Sequence, residues 1–303
     1  MNPTTMRAVL LRAAGGPEQL VCRQIAVPAP GVGEALVRVR AAALTRDELE
    51  WPVDRLPAIP SYELSGVVAA LGAGVEGVAI GDEVFGMTAF DRDGVAAEYA
   101  AIPVEMLAPK PRGLSHPEAA AVPLAALSAW QGLFDHGRLA QGDRVLIHGA
   151  TGGVGQFATA LASRHGAHVI ATTSSSGVTR AQELGAERVV DHTAGPWSAG
   201  IEPVDLVFDT AGGERLAQSP AALREGGRLV SVAEDPPQAP AITSVYFVVE
   251  PNSRQLARIA ALLDDGLPPP AIDSVFSLED AVAAFERSMA TDKRGKVVLD
   301  VAG

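Results

Sequence analysis

A glycine-rich turn stands near the middle of the chain, where an apolar run leads directly into a helical run. The segment reads VLIHGATGGVGQ, and Ala150, Gly152 and Gly155 form the pattern A-x-G-x-x-G within it. Gly152 lets the backbone approach a pyrophosphate, and Gly155 lets the helix pack closely against the strand. The start of the helix, which includes Gly153 and Val154, then offers unpaired N–H groups to the phosphates. The segment therefore predicts a dinucleotide-binding turn.

The loop TTSSSGVTR, which follows the next apolar run, indicates which dinucleotide binds. A site for NAD usually carries an acid here, about 20 residues beyond the glycine turn, to accept hydrogen bonds from the ribose hydroxyls. Three hydroxyl side chains occupy this place instead, namely Ser174, Ser175 and Ser176. The first acid after them is Glu183, so the loop has no carboxylate of its own to repel a 2′-phosphate. We therefore expect NADPH to be preferred over NADH.

This preference is expected to be modest, because no Lys or Arg that could pair with a phosphate directly follows the serines. Two residues are candidates for the missing positive charge, Arg180 one turn later and His192 after the third predicted strand. The loop also has a structural interpretation, as a solvated turn in which Ser176 is the N-cap of the following helix. The two interpretations are compatible, since a loop can cap a helix and bind a phosphate.

The turn and the loop need a sheet that brings strand ends together. From Arg144 onward apolar runs alternate with helical runs, which is typical of a parallel, doubly wound α/β sheet. The apolar runs are RVLIHGA, AHVIATT, RVVDH, VDLVFDT, GRLVSV and AITSVYFVV. Between Met6 and about Ala121, short alternating runs broken by Gly and Pro predict a compact β-rich domain. After Pro251, two helical runs and the run KVVLDV are expected to return to that domain.

Length supports this division into two domains. The chain has 303 residues, of which 48% are hydrophobic, and this is more than a single small domain usually needs. We expect a β-rich catalytic domain in residues 1–121, completed by residues 250–303. We expect a dinucleotide-binding domain in residues 122–249.

Composition excludes several classes of partner and site. The formal net charge of -12 argues against a nucleic-acid partner, because phosphate binding needs a basic face. Cys22 is the only cysteine, which excludes a disulfide within the chain and a thiolate-rich zinc site. The first residues show no signal-peptide pattern and no apolar run reaches membrane length. We therefore expect a cytoplasmic protein that does not contact a membrane.

Seven segments carry a family resemblance over almost the whole chain. They are GGPEQLVCRQIAVPAPGVGEALVRVRAAAL, SGVVAALGAGVEGVAIGDEVFGM, AAVPLAALSAWQGLF, GDRVLIHGATGGVGQ, VDLVFDTAGGERL, GGRLVSV and RGKVVLDV. In this order they resemble the zinc-independent quinone oxidoreductase and enoyl reductase branch of the medium-chain dehydrogenase/reductase superfamily. The resemblance implies a GroES-like catalytic domain interrupted by a Rossmann domain, with the active site in the cleft between them. It also implies a homodimer joined through the apolar edge strand AITSVYFVV.

The resemblance also bears on metal and on chemistry. Zinc-using members of the superfamily place ligands at three positions that carry Thr45, Tyr62 and Leu124 in this chain. None of the three is a good zinc ligand, and Leu124 cannot ligate at all. Without a Lewis acid alcohol oxidation becomes difficult, whereas reduction of an activated C=C bond mainly requires orientation of the nicotinamide. The resemblance thus implies reduction of quinones, enones or enoyl esters by NADPH.

The family positions assign roles to further residues. By this resemblance Ser128 falls near the nicotinamide, and Gly212 falls beside its ribose. Phe247 to Val249 fall on a strand whose backbone contacts the carboxamide. Lys296 matches a family lysine at the cleft, and equally fits a basic residue that caps the last strand. Tyr62 is expected to face the cleft and donate the proton; the alternative is a packed ring with its hydroxyl bonded to backbone.

One segment departs from the family pattern and keeps alternatives open. Family members line the substrate pocket with Asn-Pro-x-Asp, but this chain reads LTRDELEWPVD. Thr45 stands at the Asn position as a candidate catalytic residue, Glu48 matches the Asp, and Trp51 adds an apolar surface in the pocket or the core. One alternative is therefore a natural-product tailoring enzyme, either an enoyl reductase or a non-redox cyclase with a polyketide-like substrate. Another is an NADPH-binding protein without turnover.

We predict that the purified protein contains no zinc and keeps its activity in chelator, because Thr45, Tyr62 and Leu124 offer no thiolate or imidazole. Elemental analysis and an activity assay in the presence of a strong chelator test this prediction. Stoichiometric zinc, together with loss of activity when it is removed, would contradict it.

Overall fold

The structure is a computed structural model that describes residues 3–51, 54–198 and 200–301. Its strands are β1 (Thr5–Leu11), β2 (Leu20–Ala26), β3 (Glu34–Leu44), β4 (Glu63–Leu71), β5 (Glu83–Met87), β6 (Tyr99–Pro103), β7 (Leu107–Pro109), β8 (Arg144–His148), β9 (His168–Thr173), β10 (Arg188–Asp191), β11 (Val204–Asp209), β12 (Leu223–Ser231), β13 (Thr243–Tyr246), β14 (Ile272–Ser277) and β15 (Lys296–Asp300). Its α-helices are α1 (His116–Ala120), α2 (Pro123–Trp130), α3 (Gly153–His165), α4 (Val178–Glu183), α5 (Gly213–Gln218), α6 (Ser253–Asp264) and α7 (Ala281–Met289). A π-helical turn, Gln131–His136, continues α2, and 3-10 turns include Glu48–Glu50 and Ser175–Gly177.

The chain forms two compact units. The first unit comprises Met1–Leu124 and Pro251–Gly303, and the second comprises Ala125–Glu250. The sequence-based bounds were 1–121 with 250–303, and 122–249. In both divisions the first unit is made from two separate stretches, so its strand β15 comes from the far end of the chain.

The first unit is built on a sheet with the order β14-β15-β3-β4-β5-β7, in which β6 also pairs with β3, and on the antiparallel pair β1–β2. Strand β3 is central because β4 pairs along one edge, while β6 and β15 share the other edge. Its sequence, EALVRVRAAAL, is buried at most positions, as expected for a strand covered on both faces. The predicted β-rich domain is confirmed.

The second unit is a six-stranded sheet with the order β10-β9-β8-β11-β12-β13, and every pair in it is parallel. In this doubly wound order the direction of strand addition reverses between β8 and β11. Ligands bind at such a point, outside the carboxyl ends of the strands. The predicted α/β class with a doubly wound parallel sheet is confirmed.

The last strand of this sheet is shorter than the run AITSVYFVV suggested. Strand β13 ends at Tyr246, so Phe247 and Val249 lie beyond it, and the expectation that they lie on the strand was wrong. Farther along, the side chain of Gln131 holds the segment: its amide NH2 donates to the Glu250 carbonyl (2.8 Å), and its amide oxygen accepts from the Glu250 N–H (3.0 Å). These bonds tie the end of the segment to the π-helical turn, while the Phe247 N–H still donates to the carbonyl of Ser231 at the end of β12 (3.2 Å).

The glycine turn joins β8 to α3 by close backbone contact. Gly149 has a φ of +71°, in the left-handed region that glycine adopts without strain. A Cβ built on Gly155 would lie 2.0 Å from the Gly149 carbonyl oxygen, whereas a Cβ on Gly153 would meet nothing within 4 Å. The first helical turn therefore needs glycine at position 155 for packing, but not at position 153.

We predict that Gly155→Ala lowers the free energy of unfolding by about 1–3 kcal/mol, because the added methyl group would overlap the backbone of Gly149. The matched variant Gly153→Ala should be neutral or stabilising by up to about 1 kcal/mol, since alanine favours the helix. Urea unfolding of both variants measures the difference. Equal stabilities would show that the turn relaxes freely around the methyl group.

Candidate cofactor and active sites

The glycine turn leaves the start of helix α3 free to bind an anion. The N-cap residue, Gly152, has extended backbone and provides no side-chain cap. Its own N–H donates to the Gly149 carbonyl (2.9 Å), which fixes the turn. The first N–H groups of a helix have no partner within the helix, so those of Gly153 and Val154 point out of the turn. With Ala150 buried beneath, the turn fits a dinucleotide pyrophosphate.

The serine loop forms a 3-10 turn at the carboxyl end of β9. Ser174 is the N-cap of this turn, and its hydroxyl lies 3.1 Å from that of Ser176. The N-cap of α4 is Gly177, so the alternative that placed Ser176 in this role was wrong. The 3-10 turn takes up Ser175–Gly177, so the α-helix begins only at Val178. Glycine is required at position 177, because a Cβ there would lie 2.1 Å from Thr173 Oγ1.

A carboxylate from the neighbouring strand lies against this loop. Ser175 Oγ donates to Asp191 Oδ2 at 2.5 Å and lies 2.9 Å from Thr193 Oγ1. Asp191 Oδ1 accepts from the Thr193 N–H (2.9 Å) and hydroxyl (2.6 Å). These bonds, the one from Ser175 first, hold the pKa of Asp191 below its usual value, so it is ionised at neutral pH.

Asp191 lies outside the interval of about 20 residues beyond the glycine turn in which an acid is expected. The parallel register pairs Asp191 of β10 with Thr173 of β9, so both strands end at the same edge of the sheet. The run RVVDH indicates this position, because its aspartate ends β10. In a parallel pair the end of β10 lies beside the loop that follows β9. The nucleotide site therefore has a carboxylate that its own loop lacks.

The two candidate positive charges lie differently. His192 directly follows β10, and its N–H donates to the Thr173 carbonyl at 3.1 Å, which places it beside the serine loop. Arg180 points along α4 and forms an ion pair with Glu183 at 3.4 Å. The backbone hydrogen bond of His192 therefore places this residue at the loop. The side chain of Arg180 is instead paired with Glu183 on the same helix.

The remaining candidates for cofactor contact follow the ends of β11 and β13 or lie in α2. Gly212 has a φ of +67°, and its N–H donates to the buried carboxylate of Asp209 at 3.0 Å and 3.2 Å. Phe247 and Val249 are buried, and the Phe247 ring lies 4.4 Å from that of His136. Ser128 is buried in α2. These residues are candidates for nicotinamide contact.

A buried ion pair organises the other candidates, in the first unit. Lys296, the first residue of β15, pairs with the carboxylate of Glu63, the first residue of β4. The lysine ammonium also donates to Thr45 Oγ1 at 3.3 Å, and Glu63 Oε2 accepts from the Leu124 N–H at 2.9 Å. Thr45 and Leu124 are positions that zinc ligands occupy by the resemblance, and Glu63 follows the third, Tyr62. A protein cation therefore lies among these positions.

A second carboxyl group is buried next to this pair. Glu48 Oε2 accepts from the Thr45 N–H at 3.1 Å, while Oε1 has no hydrogen-bond partner. Burial raises the pKa of Glu48 well above its usual value, and the nearby charge of Lys296 offsets this only in part. The family position that usually carries an aspartate thus holds a carboxyl group that favours its neutral form.

Tyr62 lies inside an aromatic cluster. Its ring centroid is 5.5 Å from that of Trp51 and 5.3 Å from that of Phe90, and its side chain is fully buried. The hydroxyl accepts from Arg55 Nη2 at 3.5 Å, a side-chain partner where the alternative had expected backbone. Burial raises the pKa of Tyr62, which keeps the phenol protonated. Trp51 is half-buried, so its ring contributes to the cluster and to the surface.

The described residues contain no group of three or more His, Cys, Asp or Glu side chains that could hold a metal ion.

His148, beside the glycine turn, is buried and hydrogen-bonded to Thr172 Oγ1 (2.9 Å) and Ser219 Oγ (3.0 Å). Burial lowers its pKa to about 3, so this histidine is neutral and serves packing.

Known proteins match both units. Residues 31–112 match the family described as alcohol dehydrogenase GroES-like domain, and residues 184–299 match that described as zinc-binding dehydrogenase. A 2-methylene-furan-3-one reductase of Solanum lycopersicum is 34% identical over 91% of this chain and 74% of its own length. The chain belongs to the medium-chain dehydrogenase/reductase superfamily, in its quinone oxidoreductase and enone reductase branch.

The relationship covers nearly the whole chain in three dimensions as well. A quinone oxidoreductase of Coxiella burnetii superposes with a TM-score of 0.88 at 30% identity, covering 98% of this chain and 99% of that one. A probable zinc-binding oxidoreductase of Arthroderma benhamiae is 33% identical over 90% of this chain and 91% of its own length. The expected family and fold class are confirmed, and the superfamily consists of oxidoreductases that bind NAD(P).

Among the described residues, none of the helices combines the length and the apolar character needed to cross a membrane.

We predict that Lys296→Met lowers the free energy of unfolding by about 3–5 kcal/mol, because it leaves the buried Glu63 carboxylate unpaired. Adding Glu63→Gln should restore most of this loss, since the neutral amide keeps an oxygen for the Leu124 N–H. Denaturant unfolding of both single variants and the double variant gives the coupling energy. Additive losses would show that the two charges do not depend on each other.

Proposed function

We propose that the protein is a zinc-independent, NADPH-dependent reductase of quinones or activated C=C bonds. The observation that carries the proposal is the combination, in one chain, of the dinucleotide turn and of non-ligating residues at the three zinc positions. Thr45 and Leu124 are bonded into the Lys296–Glu63 pair, and Tyr62 is packed between aromatic rings. The names of the relatives, a furanone reductase and a quinone oxidoreductase, support this reaction class.

The chemistry follows from what these residues can supply. A bound NADPH would supply the hydride. A substrate whose carbonyl is conjugated with the C=C bond delocalises the resulting negative charge, so the protein mainly has to orient the reactants and provide a proton. In this proposal Ser128, Gly212, Phe247 and Val249 position the nicotinamide, and Thr45 and Lys296 form the polar floor of the substrate site.

We assign the proton to Tyr62. Its hydroxyl oxygen already accepts a hydrogen bond from Arg55, so its own proton remains available for a substrate oxygen or carbon. The raised pKa keeps that proton on the phenol at neutral pH.

We predict that Tyr62→Phe lowers kcat at least about tenfold, or about 1.4 kcal/mol in barrier, because the ring packing stays and only the donor is lost. Tyr99→Phe, which removes a hydroxyl from β6, is the matched control and should leave kcat unchanged. Steady-state kinetics measure both. An unchanged rate for Tyr62→Phe would assign the proton to water or another group.

NADPH is the cofactor we propose. Phosphate oxygens can accept hydrogen bonds from the hydroxyls of Ser174 and Ser176, which lie in the serine loop. His192 adjoins the same loop. Arg180 would have to leave Glu183 to contribute. The nearby Asp191 carboxylate limits this preference, so we expect NADH to be used as well, less efficiently.

A second function is favoured by one observation, the replacement of the family's Asn-Pro-x-Asp segment. Trp51 follows this segment and exposes part of its ring beside Phe90. A large apolar surface here suits a bulky polyketide-like substrate, as in a tailoring enoyl reductase or a non-redox cyclase. The third alternative, nucleotide binding without turnover, remains a distinct outcome of the same assay.

Consumption of NADPH with a panel of quinones, enones and enoyl esters tests the proposal. Fast turnover of small quinones or enones is the expected result. Turnover of bulky substrates alone would favour the tailoring enzyme, and tight nucleotide binding without any turnover would favour the binding protein.

Cytoplasmic location and a homodimer complete the proposal. The single cysteine, Cys22, suits a reducing compartment. Strand β13 lies at one edge of the second unit's sheet, and its last residue, Tyr246, is 42% exposed, which suits edge-to-edge pairing with a second copy. Sedimentation of the purified protein measures the oligomeric state.

A further inference from the structure

We infer that Asp191 is a specificity-determining residue that holds the preference for NADPH over NADH to a low value. This inference rests on the proposed nucleotide site of the second unit. It goes further by assigning the selectivity to a carboxylate outside the loop that ordinarily carries it.

The position of Asp191 carries the first step. It ends β10, and its register partner Thr173 ends β9, immediately before the serine loop. In a doubly wound sheet this edge is where the adenosine ribose of a dinucleotide lies, because the glycine turn after β8 holds the pyrophosphate beside it. Asp191 therefore reaches the ribose from the adjacent strand.

The hydrogen bonds of Ser175 carry the second step. A serine hydroxyl has one proton, and Ser175 directs it to Asp191 Oδ2 at 2.5 Å, a short charge-assisted bond. The hydroxyl then presents only lone pairs to a ligand, which suit a ribose hydroxyl that donates. A 2′-phosphate has no proton to donate when fully ionised, so it competes with Asp191 for the Ser175 proton.

The rigidity of Asp191 carries the third step. Thr193 donates to its other oxygen twice, through N–H and hydroxyl, so the carboxylate is held in place and cannot easily turn away. The same bonds keep it ionised. A fixed negative charge repels a 2′-phosphate, whereas the ribose of NADH can donate to it. Ser174 and Ser176 favour the phosphate, and Asp191 opposes them.

The variant Asp191→Asn tests the inference. The amide is isosteric, keeps an oxygen for the Thr193 donors and removes the charge. We expect the ratio of the Kd for NADH to the Kd for NADPH to rise at least about tenfold, or about 1.4 kcal/mol. Quenching of protein fluorescence by each nucleotide, without any substrate, measures these constants independently of turnover.

Glu202→Gln is the matched control. It removes one negative charge from the second unit, but Glu202 pairs with Arg144 at the start of β8, the opposite end of the parallel strands. Its ratio should equal that of the wild type. If both nucleotides bind and the ratio of the two Kd values stays unchanged in Asp191→Asn, the role of Asp191 is overturned while the proposed function stands. Failure of the wild type to bind either nucleotide would overturn the proposed function and the inference with it.

Discussion

The ammonium of Lys296 and the carboxylate of Glu63 meet inside the first unit, where each side chain is almost completely shielded from water. Buried charges are tolerated only when they are paired and their remaining hydrogen-bonding atoms are satisfied. Glu63 meets this condition by accepting the Leu124 N–H, and Lys296 by donating to Thr45. The pair therefore fixes the ends of β3, β4 and β15 and the start of α2 relative to one another within this unit.

Burial outweighs the same cation in setting the pKa of the neighbouring carboxyl group, Glu48. Two carboxyl groups lie near Lys296, and Glu63 takes the ion pair. Glu48 is left with one hydrogen bond and an unpartnered oxygen, so burial dominates and raises its pKa. In a metal-binding relative this region would be organised by ligands around an ion. Here a charged side chain of the protein, Lys296, lies in this region and contacts Thr45 and Glu63.

The second unit depends on a different constraint, which is close backbone approach. The left-handed Gly149 and the methyl-free Gly155 let α3 begin directly against β8. That contact directs the N–H groups of the first helical turn toward the carboxyl edge of the sheet. Parallel pairing brings the end of β10 to the same edge, so Asp191 and Ser175 meet although 16 residues separate them. The start of α3 and the Asp191 carboxylate thereby lie along the same edge of the sheet.

The sequence alone determined the order of elements, the fold class and the glycine turn, because alternation of apolar residues and the steric needs of glycine act over a few neighbouring residues. The family resemblance adds the prediction that Thr45, Tyr62 and Leu124 occupy the positions of the zinc ligands. Strand register decided the rest. Glu63 and Lys296 are 233 residues apart, and only the sheet order β15-β3-β4 brings them together. Likewise Gln131 holds Glu250 beyond the end of β13, and Asp191 joins a loop on another strand. Such contacts depend on how distant segments align, which no local pattern records.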